Sequence, residues 1–345
     1  MPTGFLPLDY RNGYKIKVFG ADDKVIHQYN NLGIFCGTFS TIIGKTGTAK
    51  TTLAAQMAAN ISRYCEKSFG LPAEIYHLDA EQASNITRIK NITGYSITEL
   101  KQRYHLNQDS TYIEDIYEMA RAIVNLKEAY KDHFMVNTGF LDEFGDPIRM
   151  YIPTIMIIDS LPSISTKEGE KSEELQTGTY ANRIAKAISR FYKQMMPIVK
   201  KYNFIVFVIN HINKKIEIGG MPTSPQTMYL KMDETIPCGF APLYYAHNIF
   251  KIVVDGKLKE EKDGIDGFRA RVELLKSRSN KAGKSCHLIY NQETGFDPFL
   301  SLYDYLNEEG LIEGRNPYRY VKGFEDVKFD DRKFRDAMES NPKLS

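Results

Sequence analysis

The chain has no tryptophan, and only four cysteines, Cys36, Cys65, Cys238 and Cys286, in 345 residues. The cysteines lie far apart and none stands in a C-x-x-C pair. That argues against a zinc site or a disulfide framework and suits a reducing cytosol. Charge of one sign is lacking as well: 45 basic residues oppose 43 acidic ones, a net charge of +2. Any surface for a polyanion must therefore be local. No apolar run reaches the length of a membrane helix, and the opening MPTGFLPLDYRNGYK has no stretch of signal length. There is no internal repeat and no low-complexity tract. A soluble cytoplasmic protein is expected, with one large domain plus a small one, or two domains. Aromatic residues for cores and stacking are ample, with 22 Tyr and 19 Phe.

Short apolar runs alternate with longer helical patterns. TFSTIIG, AEIYHLDAE, YIPTIMIIDSLPSI and NFIVFVINHINKK read as strands. The last two are apolar on both faces, and YIPTIMIIDSLPSI is expected to be central. TTLAAQMAANISRYC, SITELKQRYH, IYEMARAIVNLKEAYKDH and GTYANRIAKAISRFYKQMMPIVKKY read as helices. The alternation predicts an α/β fold, a mainly parallel sheet with helices on both faces. Residues 212–238 hold glycines, prolines and threonines without a period, and a loop that long is functional or disordered. LYYAHNIFKIVVD, FRARVELLKSR and KSCHLIYNQ then read as late antiparallel strands, with the turns KDGIDG and NKAG between them. A domain boundary is placed near Asp297, giving a core of 1–297 and a small α/β domain of 298–345. In the small domain LSLYDYLNEEGLI and DRKFRDAMESN read as helices and YRYVKGFEDVKF as a hairpin.

GKTGTAKTT (Gly44, Lys45, Thr46, Gly47, Thr48, Ala49, Lys50, Thr51, Thr52) lies between a strand and a helix. It is nearly the phosphate loop G-x-x-x-x-G-K-[ST], with Ala49 at the second glycine. In such a loop backbone N–H groups wrap phosphates, Lys50 reaches the β and γ phosphates, and the Thr51 hydroxyl takes Mg²⁺. Position 49 directly precedes the helix, so ordinary right-handed dihedrals are expected there and the methyl is tolerated. Asp159 ends the apolar run IMIID, at the edge where open α/β sheets bind ligands, and is the second candidate for Mg²⁺. The plain alternative for a lone strand-end Asp is a turn cap. LDAE offers Glu81 to polarise an attacking water, with Asp79 as a capping residue. Asn210 and His211 end the fourth strand and should emerge at the same edge, where His211 stands as a γ-phosphate sensor or as a satisfied strand-end histidine. Lys276, Arg278 and Lys281 are either a solvated turn or cations that reach a neighbouring subunit's nucleotide. Arg183 and Arg190, on one helix face, and Lys214 and Lys215, opening the long loop, either contact phosphates or are solvated.

The order of these parts resembles the RecA family of strand-exchange ATPases, most closely the phage UvsX-like recombinases. PTGFLPLD resembles the family's lead-in to the core, GKTGTAKTT its Walker A loop, LDAEQA its catalytic-glutamate strand and IIDSLPSI its Walker B strand. FVINHI resembles the strand into the second DNA loop, with the UvsX-type histidine. PCGFAPLYYAHNIFKI resembles the segment closing that loop, and LLKSRSNKAGKSCHLIYNQETGFDPFLSLYDYLNEEGLIE the end of the core and start of a C-terminal domain. The UvsX type also lacks the second loop glycine. The resemblance implies a RecA-like core, ATP and Mg²⁺, Glu81 as catalytic glutamate, and Lys276 and Arg278 acting on a neighbour's nucleotide. It places DNA contacts near 165–178 and 212–238, with Arg183, Arg190, Lys214, Lys215, Gly219 and Gly220 as candidates. The adenine region falls near Asn85 and Arg88. The family's N-terminal helix, which packs on the next subunit, has no counterpart before the core.

The expected function is ATP-dependent homologous recombination: a helical homo-oligomeric filament on single-stranded DNA, strand exchange with homologous duplex DNA, and DNA-stimulated ATP hydrolysis. A loading mediator and a single-strand-binding protein are the expected partners, with no membrane. If phage-encoded, the chain works in the host cytoplasm. The alternatives are a hexameric replicative helicase on the same core, against which there is no primase or collar domain, and a recombination mediator that binds ATP without exchanging strands.

Overall fold

The computed structural model describes residues 1–20, 23–109, 112–167, 178–214, 228–259 and 265–341. In chain order the strands are β1 Tyr14–Phe19, β2 Val25–Asn31, β3 Thr38–Gly44, β4 Glu74–Asp79, β5 Tyr104–Asn107, β6 Met135–Leu141, β7 Pro147–Tyr151, β8 Thr154–Asp159 and β9 Phe204–His211. They continue with β10 Asn213–Lys214, β11 Glu234–Thr235, β12 Asn248–Leu258, β13 Gly267–Ser277, β14 Lys284–Asn291, β15 Gly295–Asp297, β16 Ile312–Glu313 and β17 Tyr320–Val321. Nine of these form one mixed sheet in the order β15-β14-β13-β12-β3-β9-β8-β4-β5. From β12 to β5 the neighbours pair in parallel. From β12 to β15 they pair antiparallel.

The both-faced apolar strands are buried because helices cover both sides of the sheet. Along β8, Ile155 and Ile157 join the core under helix Lys50–Phe69, while Met156 and Ile158 join the core under helices Ile113–Ala129 and Gly178–Lys201. In β9, Ile205, Phe207 and Ile209 go one way, and Phe204, Val206 and Val208 the other. Period-two alternation with both faces filled is what a continuous Val/Ile/Phe run encodes. Helix Lys50–Phe69 is alanine-rich on its buried face and stops at Gly70, which is left-handed and whose N–H donates to Glu66 O. No helix among the described residues is long and apolar enough to cross a membrane.

Several expectations are corrected. The reading of SITELKQRYH as one helix fails after Arg103, where Tyr104–His105–Leu106–Asn107 becomes the edge strand β5. Pairing with β4 decides it, since four residues have no helical signal of their own. β12 is not an antiparallel addition on both sides, because it runs parallel to β3 and only its other edge is antiparallel. Its first predicted residues form helix Ala241–Tyr245 instead. The expected hairpin over YRYVKGFEDVKF closes only through a bridge between Arg319 and Phe329, while Tyr320–Val321 pairs backward with Ile312–Glu313. Beyond Asp297 the helices Pro298–Glu308 and Phe334–Ser340 pack around a separate apolar cluster of Leu302, Ile312, Val321, Phe329 and Phe334.

Candidate functional site

β3 ends at Gly44, and after five intervening residues helix Lys50–Phe69 begins. A Cβ on Gly44 would lie 2.7 Å from Thr48 Oγ1 and 2.8 Å from Ile252 O, so the turn admits no side chain there. Gly47 has φ +79°. Ala49 contradicts the right-handed expectation: its φ is 59° and its ψ 34°, the left-handed region. The chain must reverse between strand and helix, and alternating handedness turns successive N–H groups into one hollow. A left-handed alanine costs roughly 1–2 kcal/mol. The helix that follows has no side-chain cap and no acid in its first turn. Its first N–H groups and partial positive charge therefore face the loop unopposed, which suits an anion.

Strands that end level bring four more groups to this hollow. Gly44 pairs with His211, and Asp79 with Asp159. The buried Lys50 Nζ donates to Lys45 O at 2.9 Å and lies 3.4 Å from His211 Nδ1. Burial lowers the Lys50 pKa, and the charges of Asp159 and Glu81 pull it back up. Thr51 Oγ1 donates to Asp159 Oδ2 at 2.5 Å. Glu81 accepts from the Ser160 hydroxyl, and its Oε1 lies 2.9 Å from His211 Nε2. Burial pushes the Glu81 carboxyl up, but hydrogen bonds from Ser160 and His211 and the charges of His211 and Lys50 outweigh it, leaving its pKa below the ordinary value. Glu81 is thus an ionised base beside a cation. The hydroxyl and carboxylate of Thr51 and Asp159 form a hard-oxygen pair of the kind Mg²⁺ takes, directly or through water.

Lys50, Thr51, Glu81, Asp159 and His211 therefore share one edge, with Gly44, Lys45, Thr46, Gly47, Thr48, Ala49 and Thr52 supplying the surrounding loop and helix start. Asn210 departs from expectation. It is buried, accepts from the His211 N–H through its side chain, and donates to Pro237 O at 3.2 Å, so it holds the return of the long loop instead of facing the edge. Asp79 takes the capping role, accepting from Ser84 N–H at 2.8 Å and Gln108 Nε2 at 2.9 Å.

Lys276 and Arg278 lie elsewhere. Lys276 donates to Leu243 O and Tyr244 O, and Arg278 to Tyr244 O, at the C-terminal end of a short helix where carbonyls favour cations. Burial, then the charge of Arg278, brings the Lys276 pKa down to about 8. Arg183 and Arg190 line a groove of about 620 Å³ whose other wall carries Glu114 and Glu118. Lys214 sits in β10, opposite Glu234 of β11. Lys215, Gly219, Gly220 and most of 165–178 lie outside the described residues. Asn85 caps helix Ile86–Thr93, and Arg88 reaches Gln292 O, Glu293 O and the Tyr290 hydroxyl.

Sequence reading missed Ser160, His77, Tyr104 and Gln108. Ser160 directly follows Asp159, and His77 precedes Asp79 by two residues, so strand alternation alone placed both near the edge. Tyr104 and Gln108 come from β5 and the loop after it, which no pattern announced. Compared with known families and curated proteins, the chain matches no family model and no curated protein.

Proposed function

We propose that this chain is an ATP-hydrolysing DNA recombinase with a RecA-like core, close in kind to the phage UvsX-like proteins. The observation that carries the reading is the convergence of Lys50, Thr51, Glu81, Asp159 and His211 at the C-terminal edge of parallel strands, around an uncapped helix start. A phosphate-binding loop, a hydroxyl–carboxylate pair for Mg²⁺, a base and a group touching both loop and base are the parts that phosphoryl transfer to water needs. Thr51 and Asp159 are the residues that would hold Mg²⁺, which neutralises phosphate charge when bound. Lys50 adds a fixed positive charge to the loop. Glu81 orients and deprotonates water. His211 spans Lys50 on one ring nitrogen and Glu81 on the other, and β10 follows it directly. A phosphate that draws Lys50 is thereby felt both by the base and by the segment leading into residues 212–238. Single-stranded DNA bound there and near Arg183 and Arg190 would be held chiefly through phosphates, with strong salt dependence.

The test is ATP hydrolysis with and without single-stranded DNA, with electron microscopy of the same samples. DNA-stimulated turnover with helical filaments and joint-molecule formation between homologous DNAs is the expected result. Closed rings that unwind a fork would replace this reading with a helicase. Turnover without assembly or joint molecules would replace it with a mediator.

A further inference from the structure

Behind the phosphate loop lies a buried polar chain that the reaction as described does not use. His77, on β4, is fully buried. Its Nδ1 is 2.9 Å from the Tyr104 hydroxyl on the edge strand β5, and its Nε2 is 3.7 Å from Asp159 Oδ2. Among the described residues His77 Nε2 has no hydrogen-bond partner. An unpartnered buried ring nitrogen requires a physical reason.

The partners fix which nitrogen carries the proton. Tyr104 is buried, and burial first, then the charges of Asp159, Tyr95 and Asp79, push its pKa well above the ordinary value. It stays a neutral phenol with one proton to donate, and His77 Nδ1 is the acceptor within reach. With Nδ1 accepting, the ring proton sits on Nε2 and is aimed at the Asp159 carboxylate. The opposite tautomer would set a lone pair against that carboxylate. The same oxygen, Asp159 Oδ2, accepts from Thr51 Oγ1 on its other side. Asp159 Oδ2 thus accepts a hydrogen bond from the loop helix and has the His77 Nε2 edge 3.7 Å away on the β4 side, close enough to orient it without a hydrogen bond.

We infer that His77 is a positioning residue for Asp159, with Tyr104 setting its tautomer, so that the Tyr104–His77 pair tunes the affinity of the Thr51–Asp159 site for Mg²⁺. This rests on the reading of Thr51 and Asp159 as the Mg²⁺ pair. It assigns a role to two side chains on strands that carry none of the loop's own residues. Groups that orient a metal-ligating carboxylate change metal affinity by about 10–100-fold when removed. His77 is fully buried behind Asp159, so it acts only through the aspartate.

The experiment uses the full chain in two measurements. The first is long-range ¹H–¹⁵N NMR of protein labelled at histidine, with the His77 signal identified by its loss in His77→Gln or His77→Phe. The expected pattern is a protonated Nε2 and an unprotonated, hydrogen-bonded Nδ1, with the Nε2 signal moving in Asp159→Asn and the Nδ1 signal moving in Tyr104→Phe. A ring protonated on Nδ1, or signals indifferent to both substitutions, overturns the inference without reference to activity and even if His77→Phe fails to accumulate as folded protein. The second titrates Mg²⁺ into the protein with ADP. His77→Phe should raise the half-saturating Mg²⁺ by about tenfold or more while leaving ADP affinity in chelator unchanged. His77→Gln, which presents an amide N–H at the ε position, should recover much of the loss. Equal Mg²⁺ dependence in wild type and His77→Phe overturns the inference. Wild-type protein whose ADP binding ignores Mg²⁺ would instead refute the Mg²⁺ pair itself, a distinct outcome.

Discussion

Two lysines are buried at opposite ends of the same parallel strands, and they are held in opposite ways. Lys127 is 2% exposed and donates to Ile152 O at 2.7 Å and Tyr202 O at 2.9 Å, the carbonyls just before β8 and β9. Its ammonium lies 5.2 Å from the Phe204 ring centroid. Burial brings its pKa down to about 7, against smaller upward pulls from Cys36, Glu74 and Cys65. Lys50 is 6% exposed and has one carbonyl, from its own loop, and its pKa is lowered by burial but held up by Asp159 and Glu81. Fixed carbonyls make Lys127 a bolt between helix Ile113–Ala129 and the sheet. Acids across a hollow favour the charged form of Lys50 against the burial that disfavours it. Burial alone does not mark a functional group; what faces it does.

The sharpest way to break this contrast is to remove each charge. Lys50→Ala should leave the fold intact and lower ATP turnover by a factor of about 10² to 10³ or more, because the loop loses its fixed cation. Undiminished turnover would move the chemistry elsewhere. Glu81→Gln should slow hydrolysis by about 10² to 10⁴ and leave ATP binding in place. Equal turnover in the variant and wild type would take the base role from Glu81. Lys127→Met should do the reverse, with turnover per folded molecule unchanged. Its stability should fall by about 2–4 kcal/mol, since two buried carbonyls lose their donor at about 1–3 kcal/mol each while one buried charge disappears. Denaturant unfolding beside kcat measures both, and lost turnover in a stable variant would merge the two classes.

The pH dependence separates the lysines further. Below about pH 7 Lys127 carries its proton both folded and unfolded and contributes no slope. As pH rises from about 7 toward the ordinary 10.5, the folded state gives up that proton while the unfolded state keeps it. The unfolded state then binds more protons, so stability rises with pH across this window. Lys127→Met should flatten that part of the profile, and an unchanged slope would mean that other groups produce it. The smallest expected effect is at Ala49. Ala49→Gly removes left-handed strain of roughly 1–2 kcal/mol but adds unfolded-state freedom worth roughly 0.5–1 kcal/mol. A net gain of about 0.5–1 kcal/mol in stability should follow, and a net loss would show the alanine conformation to be unstrained.

The convergence of Lys50, Thr51, Glu81, Asp159 and His211 on one strand edge was legible in the chain because they sit at fixed offsets from strong strand patterns. Each follows an apolar run, and parallel strands that start level end level. The dihedrals of Ala49 were not legible, since the residue before a helix ordinarily keeps a negative φ, as Asn85 and Ser96 do, unless the loop's curvature forbids it. Asn210 pointed inward for a reason outside its own strand, the Pro237 carbonyl at the return of the long loop. β5 and its Tyr104 depended on pairing with β4, and a four-residue strand has too little periodicity to compete with the helix pattern before it. The hairpins β1–β2 and β6–β7 lacked clean alternation for a related cause: β2 is exposed over most of its length, so nothing selects apolar residues at alternate positions.

The central claim is that the edge around Lys50 binds and hydrolyses ATP. It is tested most directly by Mg²⁺-dependent ATP turnover of the wild-type chain and Lys50→Ala, side by side, with and without single-stranded DNA. Turnover that DNA stimulates in the wild type and that disappears in the variant is the predicted result. Equal turnover in both proteins, or no ATP binding by the folded wild type, would contradict it.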